Sequence, residues 1–446
     1  MLPKLKNCSI GIIGLGYVGL PLAIQIANQE NCLKTGKKLK RKIYGYDINN
    51  IRIKELKKGN DSNNIFSNKE IKKIRNIKFV NDKELLKNIE VFIITVPTPI
   101  KENNDPNLSY IKEASKLVGE LIKNLKEKIN PIIVYESTVY PGVTEEICVP
   151  IIEKTSNRKY NLENYNNSFY CGYSPERINP GNEKYTINSI TKVTSGCNRK
   201  VGEWIDSFYG SFIAAGTFKA SNIKIAEAAK IIENTQRDIN IALVNELAIL
   251  FKKLNINTKE VLEAAGTKWN FQKYIPGLIG GHCIGVDPYY LTYKAKEIGY
   301  ETKLISAGRN INDYMHKYLL DQIIFHKSKN NQFFYKEVLL LGLSYKSNCG
   351  DIRNSQLLYL VENIKNLDMN ITIIDPKVNA KKVFEEKGII TLDKIPQGKK
   401  YHIIILALKH KEFENLTKIE LLKFGFKETL IFDLTYQLSG KGIINL

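Results

Sequence analysis

The sequence predicts an α/β protein built from two Rossmann-like doubly wound domains, joined by a long central helix and a helical middle domain. Three observations carry this expectation. Short apolar runs alternate with amphipathic stretches in the first third of the chain, and the same alternation returns in the last third. Between them, residues 221–254 are apolar at helical spacing with almost no breakers. A chain of 446 residues also exceeds one ordinary core. The expected domains are residues 1–208, 209–325 and 326–446.

In the first third the expected strands are residues 8–13, 42–46, 91–96 and 131–135, with helices over 20–29 and 110–125. In the last third they are 337–341, 371–375, 402–408 and 430–433. Each third opens on a strand followed by a glycine-containing loop, GLGYVG or GLSYKSNCG. Each then has a strand ending in an aspartate, Asp47 or Asp375. Two nucleotide-binding folds imply two nucleotides, a cofactor and a nucleotide-bearing substrate.

Composition excludes several classes. The 43% hydrophobic content suits a folded protein. No apolar run approaches the ~18–20 residues needed to span a bilayer, so no membrane insertion is expected. Seven cysteines, without CxxC spacing, point to free thiols in a reducing cytoplasm. Five histidines include no HExxH, and no metal site is expected. The net charge of +20 raises a nucleic-acid reading. No reader module accompanies it, and lysine is enriched throughout, so no nucleic-acid partner is expected.

Gly14, Gly16 and Gly19 form GxGxxG, with Tyr17 and Val18 between the second and third. The motif follows a strand and opens a helix, the context in which it cradles a pyrophosphate. Asp47 is placed to accept from the adenosine ribose hydroxyls and to repel a 2′-phosphate, which favours NAD over NADP. The lysine-rich stretch 34–42 lengthens the usual glycine-to-aspartate interval as a loop. A surface aspartate at a strand end is the plainer reading of Asp47.

Cys283 lies in the glycine-rich turn YIPGLIGGHCIGVDPYYL, unlike Cys148, which sits in an apolar run. Alone, such a thiol is more often inert. Oxidation of an alcohol beyond the aldehyde needs a nucleophile, and a thiolate can form first a thiohemiacetal and then a thioester. Gly280 and Gly281 allow close backbone approach to a ligand. Lys230 and Asn234, at i and i+4, share one helix face and suit a developing oxyanion. A solvated helix lysine is the plainer reading of Lys230.

At this point the residues resemble the UDP-glucose/GDP-mannose dehydrogenase family over nearly the full chain. The matching motifs are GLGYVGLPLA, VPTP, ESTVYPG, SPERINPG, EAAKIIENTQRDINIALVNELA, GGHCIGVDPYYL and GLSYKSNCGDIRNS. The resemblance implies a two-fold oxidation using two NAD per sugar, a homodimer, and a C-terminal domain for the substrate nucleotide. It implies Cys283 as nucleophile and Lys230 and Asn234 as the oxyanion pair. Asp287 and Thr138 would position the catalytic water, and Glu176 would assist thioester hydrolysis. Cofactor contacts would be Arg52, Val96, Thr98, Ser137, Thr138 and Arg353. Substrate contacts would be Glu176, Arg177, Lys230, Asn234, Tyr274, Gly280, Tyr345 and Lys346. The UDP-glucose branch carries a second glutamate where this chain has Pro180. GGHC with VDPYYL is similar to the branch acting on UDP-N-acetylhexosamines for surface polysaccharides. The implied substrate is UDP-N-acetylglucosamine, followed by the galacto and manno epimers.

Overall fold

In the computed structural model, residues 1–446 are described except 64, 75, 127–128, 162–166, 179–185, 282–283, 330–334 and 439. The chain divides into two compact units. One is Met1–Glu233 with Tyr289–Glu297, and the other is Asn234–Pro288 with Ile298–Leu446.

The first unit holds strands β1 (Ser9–Ile13), β2 (Lys42–Tyr46), β3 (Ile77–Val80), β4 (Val91–Ile94), β5 (Ile132–Tyr135), β6 (Lys159–Tyr160), β7 (Ser168–Tyr173), β8 (Lys192–Gly196) and β9 (Thr217–Lys219). Their order is β3-β2-β1-β4-β5-β7-β8-β9, with β6 beside β7. All pairs are parallel except β7 with β8. The strand order reverses between β1 and β4, the place where doubly wound sheets open a ligand crevice at their carboxyl ends. β4 and β5 read VFII and IIVY and are buried throughout, as a sheet covered on both faces requires. Ile13 pairs with Tyr46 and with Ile94, so Gly14, Asp47 and Thr95 leave the sheet at one end.

The second unit holds β10 (Glu337–Leu341), β11 (Asn370–Ile374), β12 (Tyr401–Leu406), β13 (Gly425–Asp433) and β14 (Ile443–Ile444), all parallel, in the order β11-β10-β12-β13-β14. Successive side chains of β10 enter different cores. Val338 and Leu340 join one apolar cluster, and Leu339 and Leu341 the other. That alternation is the two-face burial of a doubly wound sheet.

The eight expected strands are all present, β2 and β10 with the expected ends and the other six with shifted ones. β4 stops at Ile94 because Thr95 turns back: its amide donates to Ile13 O and its hydroxyl to Gly14 O. Asp47 and Asp375 follow their strands, because their carboxylates bond the glycine loops. β3 and β6 to β9 enlarge the first sheet beyond the four expected strands. The long apolar-patterned stretch forms the helix Ile223–Lys253. Among the described residues, no helix is long and apolar enough to cross a membrane.

Candidate active site

Each glycine of the GxGxxG loop meets a different constraint. Gly14 has φ +97°, a left-handed conformation that disfavours any side chain. Gly19 opens the helix Gly19–Asn28, and a Cβ there would lie 1.9 Å from Gly14 O and 2.4 Å from Thr95 Oγ1. A Cβ on Gly16 would meet nothing within 4 Å. The protein's own packing therefore does not demand glycine at position 16, whereas a pyrophosphate against the helix N-terminus would. Val18, the residue before the helix, has no side-chain cap bond, and Tyr17 precedes it in the loop.

Asp47 and Asp375 hold matching places in the two sheets. Gly14 N donates to Tyr46 O and Gly342 N to Ile374 O, both at 2.8 Å. Gly342 shares the left-handed backbone, with φ +102°. Leu15 N donates to Asp47 Oδ2, and Leu343 N to Asp375 Oδ2, again both at 2.8 Å. Their surroundings differ. Asp47 is half-buried and takes one further amide, from Asn49. Asp375 is 1% exposed, takes the Ser344 and Lys377 amides as well, and lies 3.3 Å from buried His410 Nε2. Burial alone would raise the Asp375 carboxyl, but His410 and the Leu343 and Ser344 amides hold it below its usual range. Asp47 thus keeps the accessibility a ribose partner needs. Arg52 is buried, with Nε donating to Leu15 O and its guanidinium 2.7 Å from Asp61, so it braces the glycine loop from behind.

The loops after β4 and β5 are stitched together. Ser137 Oγ donates to Val96 O and Thr98 Oγ1 to Thr138 O, both at 2.7 Å. Tyr290 Oη donates to Thr98 O. Val96, Thr98, Ser137 and Thr138, all expected near cofactor or substrate, thus form one braced ledge. Farther along, buried Glu227 accepts from Gly142 N (2.6 Å) and Thr144 N (3.0 Å). Burial pushes its carboxyl up to about 7, against the Thr144 and Gly142 hydrogen bonds.

Glu176 follows β7 and is anchored twice. Its Oε1 accepts from Arg177 N (2.6 Å) and Ile178 N (2.5 Å), and its Oε2 lies 3.3 Å from Lys192 Nζ. Arg177 donates to Thr191 O and pairs with Glu233 at 2.7 Å. Lys192 also meets Glu136 at 2.7 Å, and Tyr209 Oη donates to the other Glu136 oxygen. Burial pushes Glu136 up, while Glu136 and Glu176 together keep Lys192 charged against its own burial. Lys230 is 8% exposed, so the solvated-lysine reading does not hold.

In the second unit, Asn234 Nδ2 donates to Asp287 Oδ2 at 2.6 Å, and both side chains are buried. Asp287 opens the helix Asp287–Glu297. Gly280 and Gly281 are packed under Tyr345. A Cβ on Gly281 would lie 2.5 Å from the Tyr345 ring, and one on Gly280 would lie 2.6 Å from Asn354 O. The protein's own Tyr345 loop comes close to both glycines. Tyr345 N donates to Asp351 O, and Lys346 O accepts from Ser344 Oγ. Asp351 holds Arg353 in two-pronged contact, with Arg353 side-chain exposure of 53%. Tyr274 is half-buried. A cavity of about 270 Å³ opens beside this loop, lined among others by Pro276, Gly280, Tyr345, Ser347, Lys409 and Thr435. Asn245 exchanges both amide bonds with Gly277 (3.1 and 2.8 Å), fixing one wall.

Cys283, with His282, lies outside the described residues, as does Pro180. Cys148 is fully buried, and burial pushes its thiol up to about 12, the inert behaviour expected of it. Among the described residues, no group of three His, Cys, Asp or Glu side chains could hold a metal ion. Sequence reasoning missed Glu136, Lys192, Tyr209 and Glu227. ESTVYPG and EAAK contain two of them, but nothing in either motif signals burial.

Comparison with known proteins bears on the whole chain. Three models of the UDP-glucose/GDP-mannose dehydrogenase family match: the NAD binding domain over residues 8–213, the central domain over 224–314 and the UDP binding domain over 339–439. A UDP-N-acetyl-D-glucosamine 6-dehydrogenase of Pseudomonas aeruginosa is 45% identical over 97% of this chain and 98% of its own. One of Salmonella typhi is 46% identical over 98% of both. Protein CapL of Staphylococcus aureus is 45% identical over 98% of this chain and 97% of its own. The structure of a UDP-D-ManNAc dehydrogenase from Pyrococcus horikoshii matches with a TM-score of 0.83 at 29% identity, covering 98% of both chains. With an NAD binding, a central and a UDP binding domain matched in order along its length, this chain belongs to the UDP-glucose/GDP-mannose dehydrogenase family of NAD-dependent oxidoreductases.

Proposed function

We propose that the protein oxidises the C6 hydroxymethyl of UDP-N-acetyl-D-glucosamine to the carboxylate, for surface polysaccharide synthesis in the cytoplasm. The choice of sugar is supported by identity of 45% and 46% to two enzymes named for that substrate. The reaction type is carried by the buried Asn234–Asp287 bond beside the sequence segment that bears Cys283. NAD, when bound against the Gly14–Gly19 loop, supplies the hydride acceptor for both oxidation steps. Cys283 is the nucleophile that adds to the C6 aldehyde, and its sulfur then carries the acyl group as a thioester. Asp287 fixes the plane of the Asn234 amide, whose second N–H, with Lys230, faces the developing oxyanion. Thr138 and Asp287 position water, and Glu176 takes its proton.

Arg52, Val96, Thr98, Ser137 and Arg353 serve the cofactor, and Arg177, Tyr274, Gly280, Tyr345 and Lys346 the substrate. Residues 1–208, 209–325 and 326–446 act as cofactor, central and substrate segments. A homodimer is supported by exposed Ile225, Ile232, Leu243 and Leu250. These fall within about 20° of one another around a helix of ~3.6 residues per turn.

The test is NADH release with UDP-N-acetylglucosamine, its galacto and manno epimers, and UDP-glucose, with products identified by mass. The expected result is two NADH per sugar and the highest kcat/KM for the gluco epimer. One NADH per sugar overturns the reaction, and preference for another sugar overturns the substrate.

A further inference from the structure

Glu136, Lys192 and Glu176 run from the sealed interior toward the surface. Side-chain exposure is 0% at Glu136, 4% at Lys192 and 11% at Glu176. The Lys192 ammonium lies between the two carboxylates, 2.7 Å from Glu136 and 3.3 Å from Glu176. Glu136 is spent internally, since its other oxygen takes the Tyr209 hydroxyl. Glu176 is divided. Its Oε1 accepts the Arg177 and Ile178 amides at 2.6 and 2.5 Å, while among the described residues Oε2 makes only the longer Lys192 contact. Of the two carboxyl groups on Lys192, Glu136 is sealed and Glu176 is the outer one. A buried ion pair is weak evidence for a purely stabilising role, because apolar side chains of similar volume generally serve as well. A requirement to fix the position of Glu176 gives this arrangement a reason.

We propose that Lys192, clamped by Glu136 and Tyr209, is a positioning residue that holds the Glu176 carboxyl group in place, with Oε2 set to take a proton from water in the hydrolytic half of the reaction. The inference rests on the role given to Glu176 above. In that step the water oxygen bonds to the acyl carbon of the Cys283 thioester and Glu176 Oε2 takes the water proton. The C–S bond then breaks, sulfur departs as thiolate, and the carboxylic acid is released. Lys192 touches neither water nor acyl group in this scheme. Its removal therefore slows acid release and leaves the preceding steps intact.

The experiment compares wild type, Glu176→Gln, Lys192→Met, Lys192→Arg and the double variant Glu136→Gln/Lys192→Met. Stopped-flow NADH formation from UDP-N-acetylglucosamine is read beside intact-protein mass. For Lys192→Met the expected result is a rapid NADH phase near the wild-type rate. A steady-state rate lowered about 100-fold follows, the low end of a lost acid–base contribution, with the acylated protein accumulating. Lys192→Arg should restore most of the steady-state rate. The double variant removes the buried pair together, and it decides the matter if Lys192→Met does not fold. A rapid phase slowed as much as the steady state, or no acylated protein in either Lys192→Met or the double variant, overturns the proposal. If Glu176→Gln itself accumulates no acylated protein, the role of Glu176 falls. If it does and the Lys192 variants do not, only the present inference falls.

Discussion

The amide of Asn234 donates to the carboxylate of Asp287 at 2.6 Å, with both side chains buried, so this hydrogen bond joins two residues 53 positions apart. Replacing Asn234 by Ala leaves a buried carboxylate without this donor, a loss of about 1–3 kcal/mol. Asn234→Ala should lower the urea midpoint accordingly and reduce kcat at least tenfold, with the KM for NAD little changed. Unaltered kcat would show that the pair serves folding alone.

Gly16 and Gly19 should respond oppositely to one added methyl group. Gly19→Ala puts a Cβ 1.9 Å from Gly14 O, so the protein should lose stability or fail to fold. Gly16→Ala meets nothing within 4 Å, so its melting temperature should match wild type while the KM for NAD rises at least tenfold. Thermal melts beside NAD titrations check both halves. An unchanged KM for Gly16→Ala would place the pyrophosphate elsewhere.

Asp47→Ala should raise the KM for NAD and weaken the rejection of NADP, because a carboxylate there accepts from ribose and repels a 2′-phosphate. The ratio of kcat/KM for the two cofactors is the quantity to compare. Equal discrimination in variant and wild type would mean the ribose contact lies at another residue.

Glu227 should make stability depend on pH. Burial raises its carboxyl from 4.5 to about 7 in the folded protein. The folded state therefore holds a proton that the unfolded state has released, and the stability from this group is full below pH 4.5. It declines as pH rises toward about 7, by an amount on the order of 3 kcal/mol. Glu227→Gln should remove that slope. Denaturation midpoints of the two proteins between pH 4.5 and 8 should therefore diverge steadily, wild type losing ground as pH rises. Parallel curves would show the carboxyl titrates normally.

Cys283→Ser should bind NAD and substrate but release no acid, since an ester forms and breaks less readily than a thioester. Equilibrium binding together with uronate detection by mass checks this. Uronate formed at the wild-type rate would remove Cys283 from the chemistry.

Much of the fold was legible because its signals are local. Ser9–Ile13 followed by Gly14, and Glu337–Leu341 followed by Gly342, each show a strand, a glycine turn and an aspartate in one short stretch. The apolar period of Ile223–Lys253 similarly announced a long helix. The strands β7 and β8 were not seen, because they belong to a sheet extension with no glycine-loop signature of its own. Asn234 entered through its i, i+4 spacing from Lys230 and Asp287 through the resemblance, and spacing alone gave no reason to join the two. Lys192 was invisible among so many lysines. Its partners lie 56 and 16 residues away, and only folding shows that it is sealed from solvent.

The two matched aspartates set a limit on cofactor inhibition. For a dinucleotide to occupy the second sheet as it does the first, its ribose would have to compete for a carboxylate that already takes three backbone amides. Each such bond is worth about 0.5–1.5 kcal/mol net, and the carboxylate is 1% exposed. Excess NAD therefore does not compete for the substrate's nucleotide domain through a ribose contact of this kind. Saturating cofactor should leave the apparent affinity for the sugar nucleotide untouched by that route.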